Sequence, residues 1–509
     1  MAPIDATLVD LLARKAGSDP DGTYARFNGE PFTYGQLDRE STALACALRD
    51  RGLQPGERVA VMMRNSIRAL SVIFAIARAG LVWIPVNAQQ RGEGLRYILE
   101  HSQPAIVIAD GEFAPLLREA ASDLRLALLC NGEAADGEPL DPLLQRGGTW
   151  HGGRPSLDDI FAIMYTSGTT GRPKGALVTH RMLRLASEAV ALVSAAAPGN
   201  VFFVWEALYH VGGAQLLPLP MSHGIRLAMV DRFSASRFWH QAKEEGATHI
   251  HHLGGILQLL LKQPPSDLDR SHGVAISWGG GCPIDIWQQF QDRFGVEIRE
   301  CYGMTEASSI TTCNSLGVVG SVGRAVPWFG VRLLDAAGRD VAPGERGEIV
   351  VSTSVPGALF PGYFRNPEAT ARALRDGMLF TGDLGSFDAH GNLFFHGRMS
   401  DSVRCRGENV SAWEVEHVAA DHPDIEDCAM IGVKSDIGEQ DIKLFVKCRP
   451  GQSIDAPTLS SWLAERLAPY QNPRYLAFVD EFERTASQRI MKHKLPASLD
   501  GCWDRLRRT

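Results

Sequence analysis

The run Tyr165-Thr166-Ser167-Gly168-Thr169-Thr170-Gly171-Arg172-Pro173-Lys174-Gly175 places four small hydroxyl residues, three glycines and two cations in eleven positions. Glycines let successive backbone N–H groups turn toward one point, hydroxyls add donors, and Lys174 brings a mobile positive charge. That set of groups suits a polyphosphate. The spacing is not that of the familiar phosphate loop, because no Gly-Lys-Ser/Thr follows Gly171 at the required offset. A plain Gly/Ser/Thr surface turn is the competing reading, and so dense a cluster argues against it. Four further motifs follow at long intervals. Tyr302-Gly303-Met304-Thr305-Glu306 joins a tight turn, a hydroxyl and a carboxylate at a strand end. Thr381-Gly382-Asp383 offers a carboxylate at a turn, where it could bind a ribose diol. Gly397-Arg398-Met399-Ser400-Asp401 adds a guanidinium at a joint between domains, and Gly362-Tyr363 with Asn366-Pro367-Glu368-Ala369-Thr370 lies between the others. Alone, Glu306 or Asp383 reads as a turn carboxylate in solvent. The ordered set is far more specific.

The elements around these motifs are those of a layered α/β protein. Apolar Ile160-Phe161-Ala162-Ile163-Met164 leads into the first loop and Ala176-Leu177-Val178 leads out, so the loop joins two buried strands. Short apolar runs at 58–63, 105–109, 274–278 and 296–300 read as further strands, with helical patterns such as 34–51 and 234–245 between them. That alternation predicts largely parallel sheets. Past Val322, runs at 331–335, 347–351 and 392–396 are separated by Gly/Pro/Asp turns, which predicts a small antiparallel barrel or sheet. Helices near 412–420 and 458–467 and strands near 428–433 and 443–448 then form another α/β unit, with a boundary at Met399-Ser400-Asp401-Ser402.

Bulk properties narrow the function classes. A chain of 509 residues exceeds one core, so two or more domains are expected. A net charge of −8 leaves no basic excess for nucleic acid. Nine cysteines with no Cys-x-x-Cys pair fit reduced thiols and a cytoplasmic location rather than a disulfide framework. The N-terminal stretch has no signal-peptide pattern, and the most apolar segment, 71–86, is broken by Arg78 and Gly80. No membrane span is expected. No domain-sized segment, such as a carrier domain, is expected beyond the α/β unit that ends at Thr509.

Taken in order, these motifs resemble the adenylate-forming superfamily of acyl-CoA synthetases, peptide-synthetase adenylation domains and luciferases, over nearly the whole chain. Local texture is similar to carnitine/crotonobetaine-type CoA ligases. The resemblance implies a large N-terminal domain, 1–399, of layered α/β sheets plus a barrel-like part, and a small mobile α/β domain, 400–509, hinged near Asp401. It implies activation of a carboxylic acid by ATP to an acyl-adenylate, then transfer to coenzyme A. Thr166, Ser167, Gly168, Thr169, Thr170, Gly171 and Lys174 would hold the β- and γ-phosphates. Thr305 would meet the α-phosphate, and Glu306, with Thr166, would hold Mg²⁺, which prefers oxygen ligands. Asp383 and Arg398 match the ribose pair. Gly279, Gly280 and Gly281, with Tyr302 and Gly303, match the adenine slot, and Gly407 would leave room for the pantetheine arm.

The same resemblance builds the acyl pocket from 205–213, 249–255 and 278–281, with His210 or Tyr209 near the carboxylate. His249 and His251, on one strand face, could also be read as metal ligands, but a place in a pocket wall or core is the commoner role. Trp205, Trp278 and the histidines favour a short, functionalised or aromatic acid over a long fatty acid. One departure from the family pattern bears on mechanism. The late catalytic lysine falls on Arg489 in Thr485-Ala486-Ser487-Gln488-Arg489. Either Arg489 serves, keeping charge but with a bulkier fork, or Lys492 substitutes, or adenylation is lost. Two rival functions stay open here: a stand-alone enzyme loading carrier-protein phosphopantetheine, and a nucleotide-binding pseudoenzyme. No motif speaks to assembly, and a homodimer is an open expectation.

Overall fold

The computed structural model of the chain describes residues 4–122, 126–133, 137–166, 173–253, 255–399, 402–405, 408–435, 440–467, 471–484 and 490–507. It divides into two compact units, one drawn from residues 1–168, 172–331 and 351–379, the other chiefly from 332–350 and 380–509.

The first unit carries two large sheets. The nine-stranded sheet runs Arg324–Ala325, Thr312–Cys313, Glu297–Tyr302, Ile276–Gly280, His249–Leu253, Val201–Val204, Arg226–Met229, Thr23–Phe27, Glu30–Thr33. Its six central strands pair in parallel, and its outer pairs are antiparallel. The seven-stranded sheet runs Glu138–Pro139, Ala127–Asn131, Ile106–Asp110, Arg58–Met62, Val82–Pro85, Ile160–Thr166, Lys174–Thr179, parallel except for the last hairpin. The largely parallel, layered body read from the sequence is therefore what forms. Helices start where side chains can meet their orphan N–H groups: Thr33 with Gln36 makes a capping box for Tyr34–Asp50, and Ser66 and Thr179 cap Ile67–Arg78 and His180–Ser194.

A five-stranded sheet contains Phe329–Leu334, Gly347–Thr353, Leu374–Arg375, Met378–Phe387 and Leu393–Arg398. Here one local expectation fails. Thr381-Gly382-Asp383 is not a turn but the middle of strand Met378–Phe387. The pairing shifts register between Asp383 and Gly385, and Gly382 has φ +71°. A bulge bends the strand at that point and carries the same glycine signal as a turn. In the second unit, strands Ile425–Lys434, Gln440–Cys448, Tyr475–Phe478 and Trp503–Asp504 form a sheet. Val415 and Ala419 of helix Ala412–Ala420 and Leu459 and Leu463 of helix Ala456–Ala464 share a core with Met430, Leu444 and Leu476.

His180, the first residue after the loop hairpin, is 1% exposed and lies against Phe161. Burial pulls its pKa down to about 4, with Asp159 weakly opposing. A depressed histidine favours the folded chain in full above the unfolded value of 6.5 and progressively less as pH falls toward 4. We expect this group to remove about 3 kcal/mol of folding stability between pH 7.5 and 4. Denaturant melts of His180→Leu should show a shallower pH slope over that window than the parent chain.

Candidate active site

The loop hairpin brings one group of sequence-singled residues together. Thr166 and Lys174 face each other in register at its mouth, and Thr166 Oγ1 donates to Lys174 O at 3.3 Å. The outgoing strand packs against the short turn Thr305–Ala307. Segment 362–364 lies along the same strand, with Leu177 N donating to Gly362 O at 3.0 Å and Phe364 N to Gly175 O at 2.8 Å. Tyr363 is thereby set between two charges: its hydroxyl donates to Glu306 Oε1 at 2.6 Å, and the Lys174 ammonium sits 4.6 Å from its ring centre. Glu306 is 4% exposed. Ser167 to Gly171, the rest of the expected cradle, lie outside the described residues.

The motif 366–370 has a structural role in this arrangement. Asn366 caps helix Pro367–Ala373, and Thr370 Oγ1 donates to Asn366 O while accepting from Tyr363 N at 2.9 Å. The helix start thus fixes the residue that holds Glu306. Backbone strain gathers on the other side: Ser308 and Ser309, with φ of +49° and +68°, follow the turn. Phe360 N donates to Glu306 O at 2.9 Å, and Ser308 Oγ to Ala358 O at 2.5 Å.

The carboxyl ends of the parallel strands carry the rest of this unit's candidates, which is where open α/β sheets bind ligands. Gly279 and Gly280 end strand Ile276–Gly280, and Tyr302 ends Glu297–Tyr302. A Cβ on Gly303 would sit 1.8 Å from Ser309 O, so only glycine fits beside the Thr305–Glu306 turn. Gly279 faces the same limit, 1.8 Å from His252 O. Buried Glu300 holds the glycine turn in place by accepting from the N–H groups of Gly281, at 3.2 Å, and Cys282.

The histidines of strand His249–Leu253 are each engaged. His249 meets Thr248 Oγ1 at 2.7 Å and Ser194 O at 3.1 Å. His251 Nδ1 lies 2.7 Å from Glu206 Oε2. His252 lies 2.9 Å from Ser277 Oγ and 3.6 Å from Glu300 Oε1, and burial holds it below the usual histidine range against that carboxylate's pull. Among the described residues no group of three or more His, Cys, Asp or Glu side chains could hold a metal ion. Burial works to raise Glu206, but the His251 imidazole, and more weakly His210, bring it below the ordinary carboxylate value. His210 itself precedes the short helix Val211–Ala214.

In the second unit, Asp383 and Arg398 are register partners, with Arg398 Nε 3.4 Å from Asp383 Oδ1. Asp383 is buried and Arg398 about one-third exposed. Lys492 opens a one-turn helix, Lys492–Lys494, and its ammonium pairs with Glu416 Oε1 at 2.8 Å. Asp401, Gly407 and Arg489 lie outside the described residues.

Two groups escaped sequence reasoning. Tyr363 stood in a named motif, but nothing local indicated that its hydroxyl would meet a carboxylate 57 positions away. Glu206, two residues past strand Val201–Val204, and Glu300, inside strand Glu297–Tyr302, meet the histidines only in the folded chain.

With this geometry in view, the comparisons with known proteins agree. The family described as AMP-binding enzyme matches residues 12–364, and the AMP-binding enzyme C-terminal domain matches residues 414–489. The chain is 34% identical over 489 residues to feruloyl-CoA synthase of Amycolatopsis sp, covering 94% of this chain and 96% of that one. It is 30% identical over 487 residues to crotonobetaine/carnitine–CoA ligase of Salmonella agona (strain SL483), covering 91% and 93%. The crystal structure of ATP-bound MatB from Rhodopseudomonas palustris is similar with a TM-score of 0.86 at 27% identity, covering 95% and 97%. The chain belongs to the family of AMP-binding enzymes. Its fold is that of the adenylate-forming enzymes.

Proposed function

We infer that the chain is an AMP-forming acid–thiol ligase, which joins a carboxylic acid to coenzyme A by way of an acyl-adenylate made from ATP. The observation that carries the reading is the Lys174–Tyr363–Glu306 cluster at the mouth of the glycine- and hydroxyl-rich hairpin, in a chain that matches ligases along nearly all its length.

The chemistry explains the cluster. A carboxylate is a poor electrophile, and its attack on the α-phosphate brings two anions together, so the site must present cations and donors where charge accumulates. Lys174 and the hydroxyls of 166–170 hold the β- and γ-phosphates, and Thr305 contacts the α-phosphate. Glu306 and Thr166 offer the oxygen donors that Mg²⁺ prefers, and the ion neutralises phosphate charge when bound. The Tyr363 hydroxyl fixes one carboxylate oxygen of Glu306. Asp383 and Arg398 hold the ribose, and Gly279 to Gly281 with Tyr302 and Gly303 receive the adenine. Arg489 supplies the late cation of the adenylation step. Removing one hydroxyl probes the cluster: Tyr363→Phe is expected to raise the Mg²⁺ concentration for half-maximal adenylation roughly 10- to 100-fold, read by ATP–pyrophosphate exchange.

Residues 400–509 form the mobile domain, hinged at Asp401 and distinct from residues 1–399. The two family matches, ending at 364 and resuming at 414, support that division. The acid is compact and functionalised or aromatic, a reading supported by Trp205, His251 and Trp278 in the pocket segments and by relatives named for feruloyl and carnitine substrates. His210 sits near its carboxylate. All nine cysteines are free thiols, and among the described residues no helix is long and apolar enough to cross a membrane, which supports a cytoplasmic enzyme. A homodimer carries over from the sequence without a supporting contact, and sedimentation velocity decides it.

Release of AMP is the test. A screen of short, branched, aromatic and quaternary-ammonium acids should give acid-dependent AMP with free coenzyme A as acceptor. Turnover only with carrier-protein phosphopantetheine would change the acceptor. ATP binding without pyrophosphate exchange for any acid would leave a pseudoenzyme. Palmitate far outperforming the compact acids would overturn the substrate reading.

A further inference from the structure

Behind the hairpin mouth, the end of helix Gly92–Ser102 grips two neighbouring segments at once. His101 Nδ1 lies 2.7 Å from the Tyr165 hydroxyl oxygen, and its ring meets Tyr165 and Phe364 edge-on, 5.8 and 5.6 Å between centres. Tyr97, one turn earlier in the helix, stacks on the same imidazole at 5.3 Å. Just past the helix, Gln103 Oε1 accepts from Arg365 Nη2 at 2.7 Å, and His101 O accepts from Arg365 Nη1 at 3.4 Å. The Arg365 guanidinium in turn covers the Phe364 ring at 5.0 Å.

Each of these contacts lies one residue from a group at the mouth. Side chains alternate along a strand, so Tyr165 and Thr166 point to opposite faces. Tyr363 meets Glu306 and Lys174, whereas Phe364 meets His101 and Arg365. Tyr165 is the register partner of Gly175, whose carbonyl accepts from Phe364 N. A leucine could fill the space among Tyr97, Tyr165 and Phe364; the imidazole adds a directed bond. Burial, and more weakly the Arg365 cation, hold His101 below the usual histidine value of 6.5, so an uncharged ring faces that guanidinium at neutral pH. Burial, with Tyr97 adding to it, pushes the Tyr165 hydroxyl above its ordinary value of 10. The bond is therefore one between neutral partners, whichever donates.

We propose that His101 is a positioning residue for the nucleotide step: by bonding Tyr165 and packing on Phe364, it fixes the hairpin mouth against the segment of Tyr363, so that Thr166 and Lys174 stand in a set relation to Glu306. This rests on the ligase reading above and adds a residue that acts through its neighbours rather than on phosphate. The β- and γ-phosphates are held alike before and during attack at the α-phosphorus. A loosened mouth then weakens ATP binding more than it slows chemistry. A lesion that merely destabilised the chain would lower the active fraction, hence kcat, and leave the affinity of the folded molecules unchanged.

Titration calorimetry of the full chain with MgATP tests this, alongside ATP–pyrophosphate exchange with the acid that gives most AMP in the screen above. Tyr165→Phe keeps the ring and removes one hydroxyl, and His101→Leu removes the imidazole. The first should raise Kd for MgATP roughly 3- to 10-fold and the second roughly 10- to 30-fold, with kcat of exchange within about threefold of the parent. His101→Asn, whose amide reaches the place of Nδ1, should return Kd to within about threefold of the parent. Thermal melts confirm that each variant is folded. Folded variants that keep the parent's affinity, that lose kcat alone, or an Asn variant no better than the Leu variant would overturn the assignment and leave the ligase reading intact. A parent chain that binds no MgATP would overturn the ligase reading itself, and this assignment with it.

Discussion

Glu306→Gln is expected to lower acid-dependent ATP–pyrophosphate exchange by roughly 100- to 1,000-fold while the chain stays folded. The substitution retains the shape of the side chain and an acceptor for the Tyr363 hydroxyl, so it removes little but the charge. That charge is costly to place where it is: Glu306 is 4% exposed and held through Tyr363 and the backbone of Phe360. A buried carboxylate kept in position beside the hairpin proposed to hold the phosphates has its clearest use as a partner for a cation that neutralises them. Melting temperature and ATP affinity, measured on the same preparation, separate a chemical defect from a folding one. Exchange within about threefold of the parent would remove Glu306 from the site.

The second large effect concerns the C-terminal cation. Arg489→Ala should slow acyl-adenylate formation by roughly 100- to 1,000-fold, and Lys492→Ala by less than about fivefold. The asymmetry follows from the engagement of Lys492. Lys492 is occupied, its ammonium 2.8 Å from Glu416 with both side chains largely covered. Recruiting it would leave Glu416 without that cation, whereas the proposed reading gives the role to Arg489, which keeps the charge. Supplying preformed acyl-adenylate isolates the thioester step, which should respond much less to Arg489→Ala. A collapse of adenylation in Lys492→Ala alone would assign the role to Lys492 instead.

Much of the fold was legible because it depends on local patterns. Alternating apolar strands and amphipathic helices announced the layered sheets, and the hairpin around Thr166–Lys174 was readable from the apolar runs on either side of its loop. The misread turn at Thr381-Gly382-Asp383 marks where local signals stop: a glycine with positive φ serves a bulge as well as a turn, and only strand pairing tells them apart. The site was legible as a list of motifs but not as a set of contacts. Tyr363 meets Glu306, Glu206 meets His251 and Glu300 meets His252 across gaps in sequence that only the folded chain closes. Such pairings leave no spacing to read, because each partner is placed by a different strand or loop.

In a crystal of the chain grown with MgATP, β- and γ-phosphate density is expected against Thr166 and Lys174, with the metal on the Glu306 carboxylate. Nucleotide bound elsewhere, with Lys174 and Glu306 touching neither phosphate nor metal, would contradict that placement.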